Sequence, residues 1–277
     1  MRKMQWVLLC FLSATMACTQ STKDAVNAFR DSMGKGQFVL RNFSGEDQVH
    51  AVWTATGLEF DEPQWRTLGV LAVDSVNMDA NRLTLKCIRH VVIKDKNDRM
   101  VLYADARPVE IDVDMGGAQP TDVLPKLKEA LFFASTEDAL ASIPERVRSS
   151  IPARIDKKPS AYSSKPRAQC DCADKGSPDC AAVPLQSKGM TPPRWVSGKD
   201  PQFTDEASRV RLNGFVDVAV TVDENGRPTD VWVVRPLGKG LDEAAAKSVL
   251  SYVFKPAMCH DKPVPMFLFV EVALQVY

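Results

Sequence analysis

Histidine is scarce in this chain: its 277 residues include His50, His90 and His260 and no others. No Gly-x-Ser-x-Gly, His-Glu-x-x-His or phosphate-cradling glycine loop accompanies them, so nothing places a nucleophile, base or metal for catalysis. Net charge is missing too. Thirty-five basic residues balance 35 acidic ones, which leaves no basic surplus to neutralise phosphates and excludes nucleic acid as a partner. The apolar run Met4 to Ala17 is 14 residues long, short of the ~20 that cross a bilayer comfortably.

That run has a different use. Arg2-Lys3 precede it and small residues end it, the layout of a secretory signal. Residues 1–18 are therefore read as a signal peptide or a membrane anchor, with Thr15-Met16-Ala17-Cys18 also permitting lipidation at Cys18.

An apolar content of 45 % suffices for two modest cores in an α+β chain. Residues 23–151 read as a β-rich domain of unknown role. Its predicted strands are Gln37 to Phe43, Gln48 to Phe60, Gly69 to Val76, Arg82 to Ile93, Met100 to Ala104 and Val109 to Met115, connected as a meander. Two helices follow, Asp122 to Phe133 and one from Thr136 that Pro144 breaks or kinks, and they are expected to cover one face of the sheet. Glu110, Asp112 and Asp114 share one strand face, where they form a solvated acidic row or, as the alternative, ligands for a hard cation. Trp53, Trp65 and Tyr103 are core aromatics or, as the alternative, the lining of a ligand pocket.

Residues 152–191 form a polar linker, stiffened by Pro159, Pro166, Pro178 and Pro184 and unable to bury a core. Cys170, Cys172 and Cys180 lie inside it. Their spacing matches no common zinc pattern, and export favours disulfides among them. Seven cysteines less Cys10 and Cys18 leave five, an odd number, and Cys87 on a strand is expected to be the free thiol, buried as a small hydrophobe.

The last segment, 192–277, carries the clearest pattern. Val216, Val218, Val220 and Val222 alternate with Phe215, Asp217, Ala219 and Thr221, then Asp223-Glu224-Asn225-Gly226 turns the chain back along Thr229 to Pro236. Gly238-Lys239-Gly240 breaks that strand, and Leu241 to Leu250 reads as a helix with acids in its first turn. Val264 to Tyr277 returns as a long strand. Its two faces hold Phe267, Phe269, Glu271, Ala273 and Gln275, and Leu268, Val270, Val272, Leu274 and Val276. The order is ββαβ, with a helical lead-in from Thr204 to Leu212.

Over Pro201-Gln202-Phe203, Glu206-Ala207, the valine strand with Gly226, Val231-Trp232-Val233-Val234, Gly238 to Asp242, Phe254-Lys255-Pro256-Ala257 and Lys262-Pro263-Val264, the segment resembles the C-terminal domain family of TonB. Thr204 departs from a proline frequent in that family, and Cys259-His260 from a cysteine-free loop. The resemblance implies a periplasmic protein that binds an outer-membrane TonB-dependent transporter or another envelope protein by strand addition, coupling energy to transmembrane transport through an inner-membrane proton-channel complex. It places partner residues along Leu268, Phe269, Val270, Glu271, Val272, Leu274 and Val276, with Gln202 and Phe203 beside them. The alternative is a non-transducing periplasmic scaffold or adaptor whose β-rich half binds a ligand. No cofactor, metal or catalytic residue is expected, and the chain reads as a binding protein rather than an enzyme.

Overall fold

The computed structural model describes residues 21–94, 100–151 and 190–275. The expected signal segment and Cys18, most of the linker with Cys170, Cys172 and Cys180, and Val276 lie outside the described residues.

The first half is built on one twisted sheet. Its strands are β1 (Gln37–Phe38), β2 (Gln48–Thr54), β3 (Gly57–Phe60), β5 (Gly69–Asp79), β6 (Arg82–Lys94) and β7 (Met100–Asp114), in the spatial order β1-β5-β6-β7-β2-β3. A meander accounts for β5-β6-β7, but β2 joins β7 in parallel, with Gln48 opposite Glu110. Two helices cover one face. The first, α1 (21–33), buries Val26, Phe29 and Met33 at helical spacing, and the second, α2 (Pro120–Leu131), buries Val123, Leu124, Leu127 and Leu131. Both stripes meet Leu83, Leu85, Ile111 and Val113 from the sheet.

Four expectations for this half are corrected. Gln37 to Phe43 is strand only at its start, because Leu40 and Phe43 leave the sheet to bury in two different cores. Gln48 to Phe60 is a hairpin of β2 and β3 rather than one strand: Gly57 takes φ 128, and the Thr54 hydroxyl donates to the Gly57 carbonyl at 3.0 Å to close the turn. Met100 to Ala104 and Val109 to Met115 are one strand, β7. Pro108 is tolerated there because β2 reaches only to Glu110, so its missing N–H faces a side with no neighbouring strand among the described residues. The helix α1 was not expected.

Cys87 is the free cysteine among the described residues and is buried, as expected. Desolvation pushes its thiol up to about 12, so it holds its proton at neutral pH and is inert as a nucleophile.

After α3 (Thr136–Ser142) the chain breaks at Pro144 and resumes as α4 (Glu145–Arg148). The Ser135 hydroxyl accepts from Asp138 N at 3.1 Å and caps α3. These helices do not join α2 on the first sheet. Ala139, Ile143, Val147 and Ile151 pack with Val39, Phe43, Leu68 and Val70 against Ala219, Trp232 and Val234, a core shared by the two halves.

The second half keeps the expected ββαβ core, but the lead-in helix is only Asp205–Arg209, the final strand starts at Met266 with Val264 on a separate short strand, and further short strands flank the core that were not expected. Short strands β8 (Met190–Thr191) and β9 (Arg194–Ser197) lead to α5 (Asp205–Arg209), capped by Thr204, then β10 (Gly214–Val222), β11 (Pro228–Arg235) and α6 (Leu241–Leu250). β12 (Val253–Lys255), β13 (Ala257–Cys259), β14 (Lys262–Val264) and β15 (Met266–Leu274) close the chain. At the hairpin turn, Gly226 has φ 78, and a Cβ there would lie 1.9 Å from the Phe254 carbonyl oxygen. Only glycine fits. Helix α6 buries Leu241, Ala245, Ala246 and Val249 against Val216, Val218, Val220, Val231, Val233, Val272 and Leu274.

Candidate partner-binding edge

Two hairpin strands and the final strand make a sheet in the order β15-β10-β11, and a fourth strand extends it: β4 (Trp65–Thr67), from the first half of the chain. The pairing of β10 with β15 is unbroken from Gly214 opposite Leu274 to Val222 opposite Met266. On its other side β15 has no partner strand among the described residues. In an antiparallel ladder, every second residue turns its N–H and C=O away from its partner. Along these nine residues, that leaves a row of donors and acceptors which an extended chain can complete.

The edge is stiffly backed on both faces. Leu268, Val270, Val272 and Leu274 pack toward α6, whereas Phe267 and Phe269 pack toward the shared core, their rings 5.2 Å apart and edge to face. Arg146 of α4 lies 5.4 Å over the Phe267 ring. Further along the same face Asp217 and Arg235 form a buried bidentate pair, Nε to Oδ2 at 2.5 Å and an Nη to Oδ1 at 3.0 Å, and Glu271 adds a carboxylate 3.6 Å from the same guanidinium.

The opposite edge is closed. β4 pairs with β11 in parallel, Trp65 opposite Val231 and Thr67 opposite Val233. Arg66 reaches Asp230 at 3.3 Å, Arg146 reaches its second carboxylate oxygen at 3.0 Å, and Trp232 donates its indole N–H to the first at 2.8 Å. Asp230 thus ties strands from both halves to α4. It does so from φ 48, a left-handed conformation uncommon for a side chain other than glycine.

A second polar junction lies nearby. Arg107 of β7 faces Asp47 at 3.5 Å in its own half and Glu206 and Glu243 at 3.9 and 4.0 Å in the other. Buried Arg89 donates to the Gly45 and Glu46 carbonyls, both at 2.6 Å, and burial lowers its guanidinium to about 10. It stays charged at neutral pH and fixes the loop that carries Gly45 and Asp47. Glu206, hydrogen-bonded to Lys239 at 2.9 Å, is held below the usual carboxylate range by that bond.

Of the expected partner residues, Leu268, Phe269, Val270, Glu271, Val272 and Leu274 all fall on β15. Gln202 is exposed and Phe203 packs partly against the α6 core. Their segment is anchored at the start of α6, where the Thr204 hydroxyl donates to the Lys239 carbonyl at 2.6 Å. Cys259 on β13 is disulfide-bonded. In the acidic row Asp114 is exposed whereas Glu110 and Asp112 are half-buried; Asp112 accepts from the Thr84 hydroxyl at 2.6 Å and His50 stands 3.9 Å away. Trp65 is a core residue, 5 % exposed, and Trp53 packs partly against the first core. Tyr103 lies on β7, its side chain outside the described set. Arg66, Arg146 and Asp230, which join the halves, were not singled out from the sequence and no local pattern marks them; Trp232 was quoted only within the strand Val231 to Val234. Among the described residues no helix is long and apolar enough to cross a membrane.

Residues 199–272 match the family model described as Gram-negative bacterial TonB protein C-terminal. The match spans the lead-in, the hairpin, α6 and most of β15, so the resemblance carried by Pro201 to Val264 holds for that segment of the chain. No curated protein matches the chain.

Proposed function

We propose that this chain is a TonB-like envelope protein that takes up an extended segment of a partner as an added strand on β15. The observation that carries the reading is the asymmetry of the C-terminal sheet: its β11 edge is closed by β4, whereas β15 is paired on one side alone among the described residues. Main-chain pairing would supply affinity, and the side chains of β15 on the two faces would supply selectivity. The partner class is an outer-membrane TonB-dependent transporter or another envelope protein. Coupling of energy to transport through an inner-membrane proton-channel complex is the activity that this reading extends to, with periplasmic residence and an exported or anchored N-terminus. Binding, not catalysis, is its chemistry.

A periplasmic adaptor is the second reading. One feature of the fold favours it: the first half shares a core with the TonB-like sheet, which makes it a fixed presenter of that sheet and frees its polar outer face for a different ligand.

The experiment is a pair of adjacent proline variants in the full chain. Neighbouring residues of a strand aim their N–H groups to opposite sides, so of Val270→Pro and Glu271→Pro one deletes an outward donor and the other a donor to β10. The outward variant should keep its circular dichroism spectrum and melt while losing capture of partner from detergent-solubilised envelope; the inward one should lower the melt. Equal capture by both folded variants would remove β15 as the interface.

A further inference from the structure

A sheet made of β15, β10 and β11 alone would have two open edges, and an open edge is a template for any extended chain, a second copy of the same protein included. Here one is occupied from within the chain. We infer that Trp65–Thr67 is a guard strand, inserted by the first half to keep β11 from pairing with a second copy of this chain; on the reading above, which this inference rests on, it confines partner binding to β15.

Three parallel residues are too short to hold an edge by backbone pairing, since each hydrogen bond nets only about 1 kcal/mol. The side chains supply the rest. Trp65 is buried in the α6 core, and its ring occupies the space beside Gly45, where a Cβ would meet it at 2.3 Å. Arg66 adds its contact with Asp230 at 3.3 Å, and its guanidinium sits 5.8 Å from the centre of the Trp232 ring. The guard strand is itself covered: Gly45 N donates to the Trp65 carbonyl at 2.9 Å and Thr67 N to the Phe43 carbonyl at 3.0 Å. Residues 65 and 67 thus turn their backbone toward 43–45. By alternation the N–H and C=O of Arg66 face β11, where the parallel pattern gives its carbonyl the Val233 amide. Closure continues past β4, so the fold ends this side of the sheet in a loop rather than in a free strand.

The full-length Arg66→Glu variant tests the role without any ligand. It removes one arm of the Asp230 junction, breaks the bond from Arg66 to Glu62 and sets the new carboxylate against both acids. Relative to wild type, exchange at the Val233 amide should become about tenfold faster or more, and sedimentation should show a concentration-dependent shift of mass toward a dimer. Arg66→Ala, which deletes the contact without adding repulsion, should move both readouts the same way by less and serves if the glutamate variant does not fold. A folded variant in which Val233 exchanges as in wild type, or exchanges faster with no gain in self-association, would overturn the inference. Self-association of the Arg66 variants alongside unaffected capture by both β15 proline variants would keep the guard strand and discard the β15 reading; the reverse pattern would do the opposite.

Discussion

Arg235→Ala should destabilise the protein by about 3–5 kcal/mol, because it strands a buried carboxylate. Asp217 is 2 % exposed and Arg235 9 %, and the bidentate bond between β10 and β11 satisfies both carboxylate oxygens. Glu271, opposite Asp217 in the ladder and 3.6 Å from the guanidinium, then adds carboxylate repulsion to the stranded Asp217. Replacing both partners by leucine should cost far less than removing the arginine alone, since no buried charge is then left unpaired. Urea titration followed by circular dichroism reads the two variants. A loss below 1 kcal/mol for Arg235→Ala would mean that water reaches Asp217.

Trp232→Ala is the second large effect. The ring is 4 % exposed and lies 5.3 Å from Phe43 of the first half, and its indole N–H satisfies Asp230. Truncation of a buried tryptophan costs about 3–5 kcal/mol. Its position adds a qualitative consequence: the cavity opens in the core that the two halves share, so the variant should unfold in two resolved steps where wild type unfolds in one. Differential scanning calorimetry distinguishes these outcomes, and a single transition at lowered temperature would show that other contacts suffice to couple the halves.

Much of the second half was legible because its signals are local. Four valines at period 2, Gly226 at positive φ after Asn225 and acids at the start of Leu241–Leu250 each fix conformation within a few residues, and the two faces of β15 sort into the α6 core and the shared core as their alternation requires. The parts that were not legible depend on distant partners. Nothing in Trp65-Arg66-Thr67 announces a strand; it becomes one because β11, more than 160 residues later, offers an edge, with Arg66 and Asp230 separated by 164 positions. The end of Gln48 to Phe60 hides a turn at Gly57 that lacks the usual Asn-Gly or Asp-Gly signal. Pro108 reads as a strand break until one knows how far β2 extends along β7. Helix α1 is a different case, since Val26, Phe29 and Met33 already carry its period.

The edge itself was legible as a position and not as a state. That β15 is a strand follows from its residues; that β11 is closed, and β15 open among the described residues, follows from where the first half docks. A site-specific photo-cross-linker placed in turn at Phe267, Phe269, Glu271 and Ala273 of the full chain, and for comparison at Arg66, His50 and Glu110, irradiated with solubilised envelope and mapped by mass spectrometry, tests this most directly. The account predicts cross-links from these β15 positions into one extended segment of an envelope partner, stepping two partner residues for every two along β15, and none from matched positions on β4. Cross-links concentrated on the outer face of the first sheet, at His50 or Glu110, with none from β15, would contradict it.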